Sequence, residues 1–283
     1  DIKPLRKYID GQYAAHLLGY VRGIDEETLK ELKDEGYDSN DIIGQTGIEL
    51  AAERYLSGYD GRRRVEVNTK GRLTDELSGE PAIPGNTVVL TIDSRLQKIA
   101  MESLERNIKR IRESGIGGSK NHRDANAGAV VAIDVNSGEI LAMASYTTYD
   151  PSIFLADSSD KEAQKAIQEL FDPENEDRPA FNRAISGKYA PGSTFKPLVA
   201  IAALEEGVIT PQDTIYDSGK INIGGWDFWC LEYRNGLGAH GRTDLKKALE
   251  TSCNIYFHEI GYRTGIDNIE KWARLFGLGE KTG

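Results

Sequence analysis

Two cysteines, Cys230 and Cys253, are all that the 283 residues contain. That excludes a disulfide-dense secreted scaffold, which needs several bridges. Long apolar runs are missing as well: no stretch reaches the ~18 residues of a membrane-spanning helix. There is no basic excess, because 45 Asp and Glu outnumber 35 Lys and Arg and the formal net charge is −10. A nucleic-acid-binding surface needs a basic patch. The run Arg62-Arg63-Arg64 is short, lies beside Tyr59-Asp60-Gly61, and is expected to face solvent at a hairpin. No internal repeat, low-complexity tract or signal peptide stands out, and the chain opens abruptly on DIKPLRKYID. It reads as a piece of something longer, trimmed at both ends. With 39% hydrophobic residues, the composition is core-forming and sufficient for one large domain or two ordinary ones.

Hydrophobic spacing and punctuation organise the chain. Residues 12–22, QYAAHLLGYVR, make a compact apolar stretch. IDEETLKELKDEGY reads as a short amphipathic helix ending at Gly36, and GIELAAERYLSG (47–58) as a second one stopped by Gly58. RRRVEVNTKGR is a predicted strand ending in a turn. After Pro81 and Pro84, GNTVVLTID is a further predicted strand. SRLQKIAMESLERNIKRIRES then gives a long helix capped by Asp93 or Ser94. Residues 128–145, GAVVAIDVNSGEILAMAS, form a β-hairpin around an Asn-Ser-Gly turn. The polar segment 155–180 holds one short helix, 211–243 is loop-rich and aromatic, and 244–262 reads as one helix. The Pro and Gly cluster sets a domain boundary near residue 85.

Chemistry concentrates in YAPGSTFKP, residues 189–197. Pro191 and Gly192 mark a turn, Leu198, Ile201, Ala202 and Leu204 follow at helical spacing, and Gly207 closes the run. Ser193 therefore sits near the first turn of a helix, with Lys196 three residues on and on the same face. The bland reading is an N-cap and a solvated charge. The pattern S-x-x-K arises about once by chance in a chain of this length, and Ser158-Ser159-Asp160-Lys161 matches too. That second copy lies in the acidic stretch DSSDKEAQK and reads as a helix cap.

Downstream lies Ser252-Cys253-Asn254, an S-x-N led in by His240-Gly241. S-x-x-K followed by S-x-N is the order of serine acyl-transfer enzymes that react with β-lactams. NRAISGKYAPGSTFKP, TIDSRLQ, GAVVAIDVNSGEILAMAS, YDP at 149–151 and HGRTDLKKALETSCNIYF together resemble the transpeptidase domain of class B penicillin-binding proteins. HLLGYV and GQTGIELAAERYLSGYDGRRRVEVNTKGR resemble the non-catalytic pedestal of the elongation-type members, the penicillin-binding protein 2 group. The resemblance covers nearly the whole chain. It implies an α+β fold, an antiparallel sheet with helices, with a partial pedestal and dimerisation-type domain over 1–85 and the N-terminal portion of a transpeptidase domain over 86–283. The family's third motif, K-[ST]-G, lies on a strand. Lys281-Thr282-Gly283 follows RLFGLGE without a strand pattern and only 27 residues after Asn254, so it is not taken as that motif, and the catalytic domain is read as incomplete.

A serine hydroxyl needs a base to become a nucleophile, and a lysine serves as base only when burial or nearby positive charge favours its neutral form. The roles that the resemblance implies are Ser193 as nucleophile, Lys196 as base, Ser252 as proton relay and Asn254 as hydrogen-bonding partner of Lys196 and substrate. The implied substrates are peptidoglycan stem peptides ending in D-alanyl-D-alanine, with penicillin and other β-lactams as inhibitors and no cofactor for the chemistry. The implied setting is the extracytoplasmic face of the cell membrane during cell elongation. There an N-terminal transmembrane helix absent from this chain is the anchor, and a glycosyltransferase and other membrane proteins are the partners. Two rivals stand beside this reading: a catalytically silent scaffold or β-lactam sensor, and a β-lactamase, for which no water-activating base is visible.

Cys230-x9-His240-x12-Cys253 brings three soft or borderline ligands within 24 residues. A closed structural zinc site takes four. Asp217 is the candidate fourth, with Asp227 and Glu232 as alternates. A Cys230–Cys253 disulfide and two free thiols are the competing readings, with His240 then holding a loop carbonyl.

Overall fold

The computed structural model describes residues 6–70, 73–114 and 124–281. The chain packs as two compact units, residues 1–187 and 188–283. The division expected near residue 85 falls inside the first.

The first unit opens with α1 (Gly11–Leu18), β1 (Val21–Gly23), α2 (Glu26–Leu32), β2 (Ile42–Gly44), α3 (Gly47–Ala51) and α4 (Glu53–Leu56). The Asp25 side chain accepts from the Glu27 and Thr28 amides and so starts α2, while Gly36 turns left-handed after it, where the sequence places a stop. The 47–58 segment is broken at Ala52 (φ −107°) instead of forming one helix, and Gly58 ends it with φ 68°. Next come β3 (Arg62–Val67) and β4 (Leu73–Glu80), a hairpin in which Arg62 pairs with Glu80. The sequence pattern revealed only its first strand.

Asp93, and not Ser94, caps α5 (Ser94–Ser114), accepting from the amides of Arg95 and Leu96 at 2.8 and 3.0 Å. This helix packs Ala100 and Met101 against Ala142 and Ala144 of the expected hairpin, β5 (Gly128–Ile133) and β6 (Ile140–Tyr146). Gln97 is buried within that contact. Its amide donates to the carbonyls of Tyr13 and Met143 and accepts from the Met143 N–H. GNTVVLTID forms no strand. It runs past β6 with Thr91 Oγ1 on the Ile140 carbonyl and the Asp93 N–H on that of Leu141, which is short of a ladder. The unit ends with α6 (Lys161–Phe171), capped by Asp160, and α7 (Arg183–Ser186). The cap expected of the Ser158–Lys161 segment is thus its aspartate, and Ser158 and Ser159 lie ahead of the helix without capping it.

The second unit is built on α8 (Lys196–Glu205), reached through a 3-10 turn over Gly192–Phe195. Two short ladders follow, with β7 (Ile215–Asp217) paired to β10 (Gly241–Thr243), and β8 (Lys220–Ile223) paired to β9 (Trp226–Trp229). Between them lies α9 (Leu231–Arg234), and after them α10 (Leu245–Glu250), α11 (Asn254–Thr264) and α12 (Ile266–Leu275). Val199, Ala200 and Ala203 of α8 meet Ile255, Tyr256 and Ile260 of α11 in the core, where small residues on one helix let the larger ones on the other seat closely. All the ladders among the described residues are antiparallel, so the expected α+β class holds. Among those residues no helix is long and apolar enough to cross a membrane.

Candidate active site

The predicted single helix over 244–262 is two helices. Ser252 stands between them with φ 51°, the left-handed region that L side chains rarely adopt. The break turns Ser252 toward α8. Lys196 Nζ donates to the Ser252 carbonyl at 2.6 Å, to Ser252 Oγ at 2.9 Å and to Asn254 Oδ1 at 2.7 Å. Three acceptors thus take the three donors of a lysine ammonium. The ring of Phe257, one turn along α11, lies 5.5 Å from the same nitrogen. Burial pushes the Lys196 ammonium below the ordinary lysine range, against an upward pull from Cys253 and Cys230.

Ser193 lies on the exposed 3-10 turn that leads into Lys196, and the preceding Gly192 has φ 55°. The structure brings Lys196, Ser252 and Asn254 into contact and sets Ser193 three residues ahead of the lysine. Asn254 also donates through Nδ2 to the Trp229 carbonyl at 3.3 Å. This tie between β9 and the S-x-N segment escaped the sequence reading, because a backbone acceptor has no side-chain signature. His258 escaped too. It lies one turn beyond Asn254 and packs on Phe228 with ring centroids 4.2 Å apart. Burial and the Lys196 charge hold its pKa below the usual histidine value.

The four residues with metal-ligand chemistry converge behind this site. Asp217 and Cys230 are each 1% exposed and Cys253 is fully buried. Ligand atoms of Asp217, His240 and Cys253 lie within 4.8 Å of one another. His240 Nδ1 is 2.7 Å from Asp217 Oδ2 and 3.4 Å from Cys230 Sγ, and Cys253 Sγ is 3.3 Å from the same carboxylate oxygen. Both thiols are free, so no disulfide joins them. Burial pushes the Asp217 carboxyl up, and donors from Gly219, His240 and the two thiols more than reverse it, leaving its pKa lowered. Burial also lifts the Cys253 thiol to about 12. Of the alternates, only Asp227 is engaged away from the cluster. Asp227 pairs with Lys220 at 2.5 Å. Glu232 faces the other ring nitrogen of His240, 2.8 Å away but off hydrogen-bonding alignment. Of Lys281-Thr282-Gly283, the last two residues lie outside the described residues.

Comparison with known proteins identifies the family of the chain. Residues 128–283 match the penicillin binding protein transpeptidase domain, and residues 1–90 match the penicillin-binding protein dimerisation domain. A curated relative, the peptidoglycan D,D-transpeptidase MrdA of Haemophilus influenzae, is 35% identical over 100% of this chain and 40% of its own length. A solved structure from work on a peptidoglycan synthase complex, described as coordinating polymerization and crosslinking, superposes with a TM-score of 0.78. It is 34% identical and covers 95% of this chain and 45% of that one. Penicillin-binding protein 2 from Helicobacter pylori, solved in complex with MreC, gives 0.74 at 30% identity, over 96% of this chain and 45% of its own. The chain thus spans less than half the length of these relatives. On the match over 128–283, it belongs to the penicillin-binding protein transpeptidase family.

Proposed function

We propose that the protein of which this chain forms part is a peptidoglycan D,D-transpeptidase that works through a Ser193 acyl-enzyme in cell elongation. The observation that carries the reading is the three-way contact of Lys196 with the Ser252 carbonyl, Ser252 Oγ and Asn254. Ser193 Oγ attacks the carbonyl carbon of the penultimate D-alanine, and its proton passes to neutral Lys196. The new C–O bond replaces the C–N bond, and D-alanine leaves with a proton relayed by Ser252. An acceptor amine then attacks the ester, the C–O bond breaks, and the amine's proton restores the Ser193 hydroxyl. The Ser193 N–H supplies one donor to the oxyanion.

The test is mass spectrometry of the full-length protein with labelled penicillin and, separately, with stem pentapeptide and an amine acceptor. Label on the Ser193 peptide together with a cross-linked product supports the reading. Stable label without cross-linking favours the silent scaffold or sensor, and rapid release of hydrolysed penicillin favours a β-lactamase.

Residues 1–85 are assigned a non-catalytic role, positioning the enzyme and meeting membrane partners, with 86–283 carrying the chemistry. The match of 1–90 to the dimerisation domain and the absence of catalytic motifs there support this. By analogy with the relatives, the setting is the extracytoplasmic membrane face beside elongation proteins such as a glycosyltransferase.

Zinc fits the Asp217, Cys230, His240 and Cys253 cluster. Asp217, His240 and Cys253 hold their ligand atoms within 4.8 Å of one another, Cys230 Sγ lies 3.4 Å from His240 Nδ1, and the resulting carboxylate, imidazole and two sulfurs make up the four ligands that a closed site takes. Bound there, the ion would brace the 221–239 loop against α11 and stay out of the acyl transfer. Elemental analysis of protein purified without chelator should find about one equivalent, as a closed site holds. Less than about 0.2 equivalents removes zinc from the account.

A further inference from the structure

Beside the tie between Asn254 and Trp229 lies an open pocket of about 600 Å³ lined by Trp229, Tyr233 and Arg234. Its walls are built. Trp229 and Tyr233 stack with ring centroids 6.0 Å apart and planes 19° apart, and Lys220 sits 5.0 Å over the Trp229 ring. The Tyr233 ring rests on Gly219. A Cβ there would come within 2.3 Å of Tyr233 Cδ2, and the backbone has φ 95°, so only glycine lets the ring take this place. The Gly219 carbonyl also accepts from the Cys230 N–H at 3.0 Å, which fixes the start of α9.

The charges around this pocket are unevenly used. The acids of the segment are committed: Asp217 to the His240 cluster, Asp227 to Lys220 and Asn222, and Glu232 to the His240 side. Lys220 is neutralised by Asp227. Arg234 is exposed, and its guanidinium has no partner among the described residues. In a chain of net charge −10 an unpaired arginine beside two aromatic faces is a recognition feature. Its planar fork suits a carboxylate bidentately, and the rings suit flat or aliphatic peptide surface. Trp229 places the pocket next to the catalytic asparagine. Asn254 Nδ2 lies 3.3 Å from the carbonyl of Trp229, and Trp229 lines the pocket, so a peptide bound at Asn254 runs beside it.

We infer that the Trp229–Tyr233–Arg234 pocket is a subsite for a free side-chain carboxylate of the stem peptide, selecting acidic stems over amidated ones. The inference rests on the transpeptidase reading above for its ligand, but its test does not depend on turnover.

The experiment is titration calorimetry on the full-length protein carrying Ser193→Ala, which binds peptide without reacting. The probes are two synthetic pentapeptides ending in D-alanyl-D-alanine, identical except that one side-chain carboxylate is free or amidated. The free carboxylate should bind about 10-fold more tightly, a charge-assisted contact's worth. Arg234→Ala should abolish that preference, Arg234→Lys should keep part of it, and Arg234→Glu should reverse it. Gly219→Ala, by displacing the Tyr233 ring, should weaken both peptides alike. Equal affinity for the two peptides, a preference that survives Arg234→Ala, or no binding of either would overturn the subsite. Penicillin labelling of Ser193 in the unmutated protein reads the acyl-transfer proposal separately, so the two can fail independently.

Discussion

Lys196 has to hold a proton firmly in one state and receive another in the next. Its contacts permit both. The Ser252 carbonyl and Asn254 Oδ1 are acceptors in either state, whereas the Ser252 hydroxyl can accept from an ammonium or donate to a neutral amine. Loss of a proton therefore costs one rearranged hydrogen bond, and burial already disfavours the charged form. Acylation needs the neutral amine, so its rate rises with pH through the Lys196 pKa. Because that pKa is lowered, the rise belongs below the ordinary lysine range near ~10.4. Rates of labelled-penicillin uptake against pH check this, and a rise only in the ordinary range would contradict the lowered value. Lys196→Ala should slow uptake by about 10²-fold or more, the low end of a general base's contribution. Near-normal labelling would take Lys196 out of the mechanism. Asn254→Ala removes an acceptor of a charged donor, about 1.5–3 kcal/mol, and should slow uptake by about 10- to 100-fold.

At the scale of elements, the break between α10 and α11 matters more than either helix. The run DLKKALETSCNIYFHEIGY has helical spacing throughout, and nothing local forbids one continuous helix. What breaks it is tertiary: a lysine 56 residues away draws the Ser252 carbonyl and hydroxyl out of the helical ladder. A left-handed residue costs about 1–2 kcal/mol for a side chain and little for glycine. Ser252→Gly should thus melt at or above the parent temperature, by up to about 2–4 °C, while acylation falls because the hydroxyl is gone. Ser252→Val should lower the melting temperature. If both substitutions melted alike, the left-handed break would not be carrying that cost. The same contrast explains what could be read in advance. The S-x-x-K helix, the 128–145 hairpin, the Asp93 cap and the metal-type side chains were legible because they depend on spacing and residue type within a short window. GNTVVLTID misled because β-branched residues look alike with or without a partner strand. The Trp229 carbonyl, the Tyr233 seat on Gly219 and β4 stayed hidden, since backbone acceptors and sheet pairing leave little trace in composition.

The whole molecule separates what is divided by family from what is divided by packing. Residues 1–90 match one family domain and 128–283 another, yet helix α1 is stitched to residues far beyond 85. Gln97 donates to the Tyr13 carbonyl at 2.7 Å, Thr148 Oγ1 to that of Gln12 at 2.9 Å, and Asn182 Nδ2 to that of His16 at 3.3 Å. His16 Nε2 in turn meets the Pro179 carbonyl at 2.7 Å, and a Cβ on Gly11 would touch Pro151 Cγ at 2.9 Å. Ala15, at the centre of α1, is fully buried. A helix of eight residues has little stability of its own, since isolated helices shorter than ~12–15 residues are marginal in water. A fragment ending at residue 85 should therefore lose α1, whereas one ending at residue 187 should keep it. Hydrogen exchange reads the difference at the Gly19 amide, which bonds the Ala15 carbonyl at 2.8 Å. Strong protection of that amide in the longer fragment and near-free exchange in the shorter one is the expected result. Equal protection in both would mean that the first 85 residues hold α1 unaided, and that the non-catalytic module is a packing unit as well as a functional one.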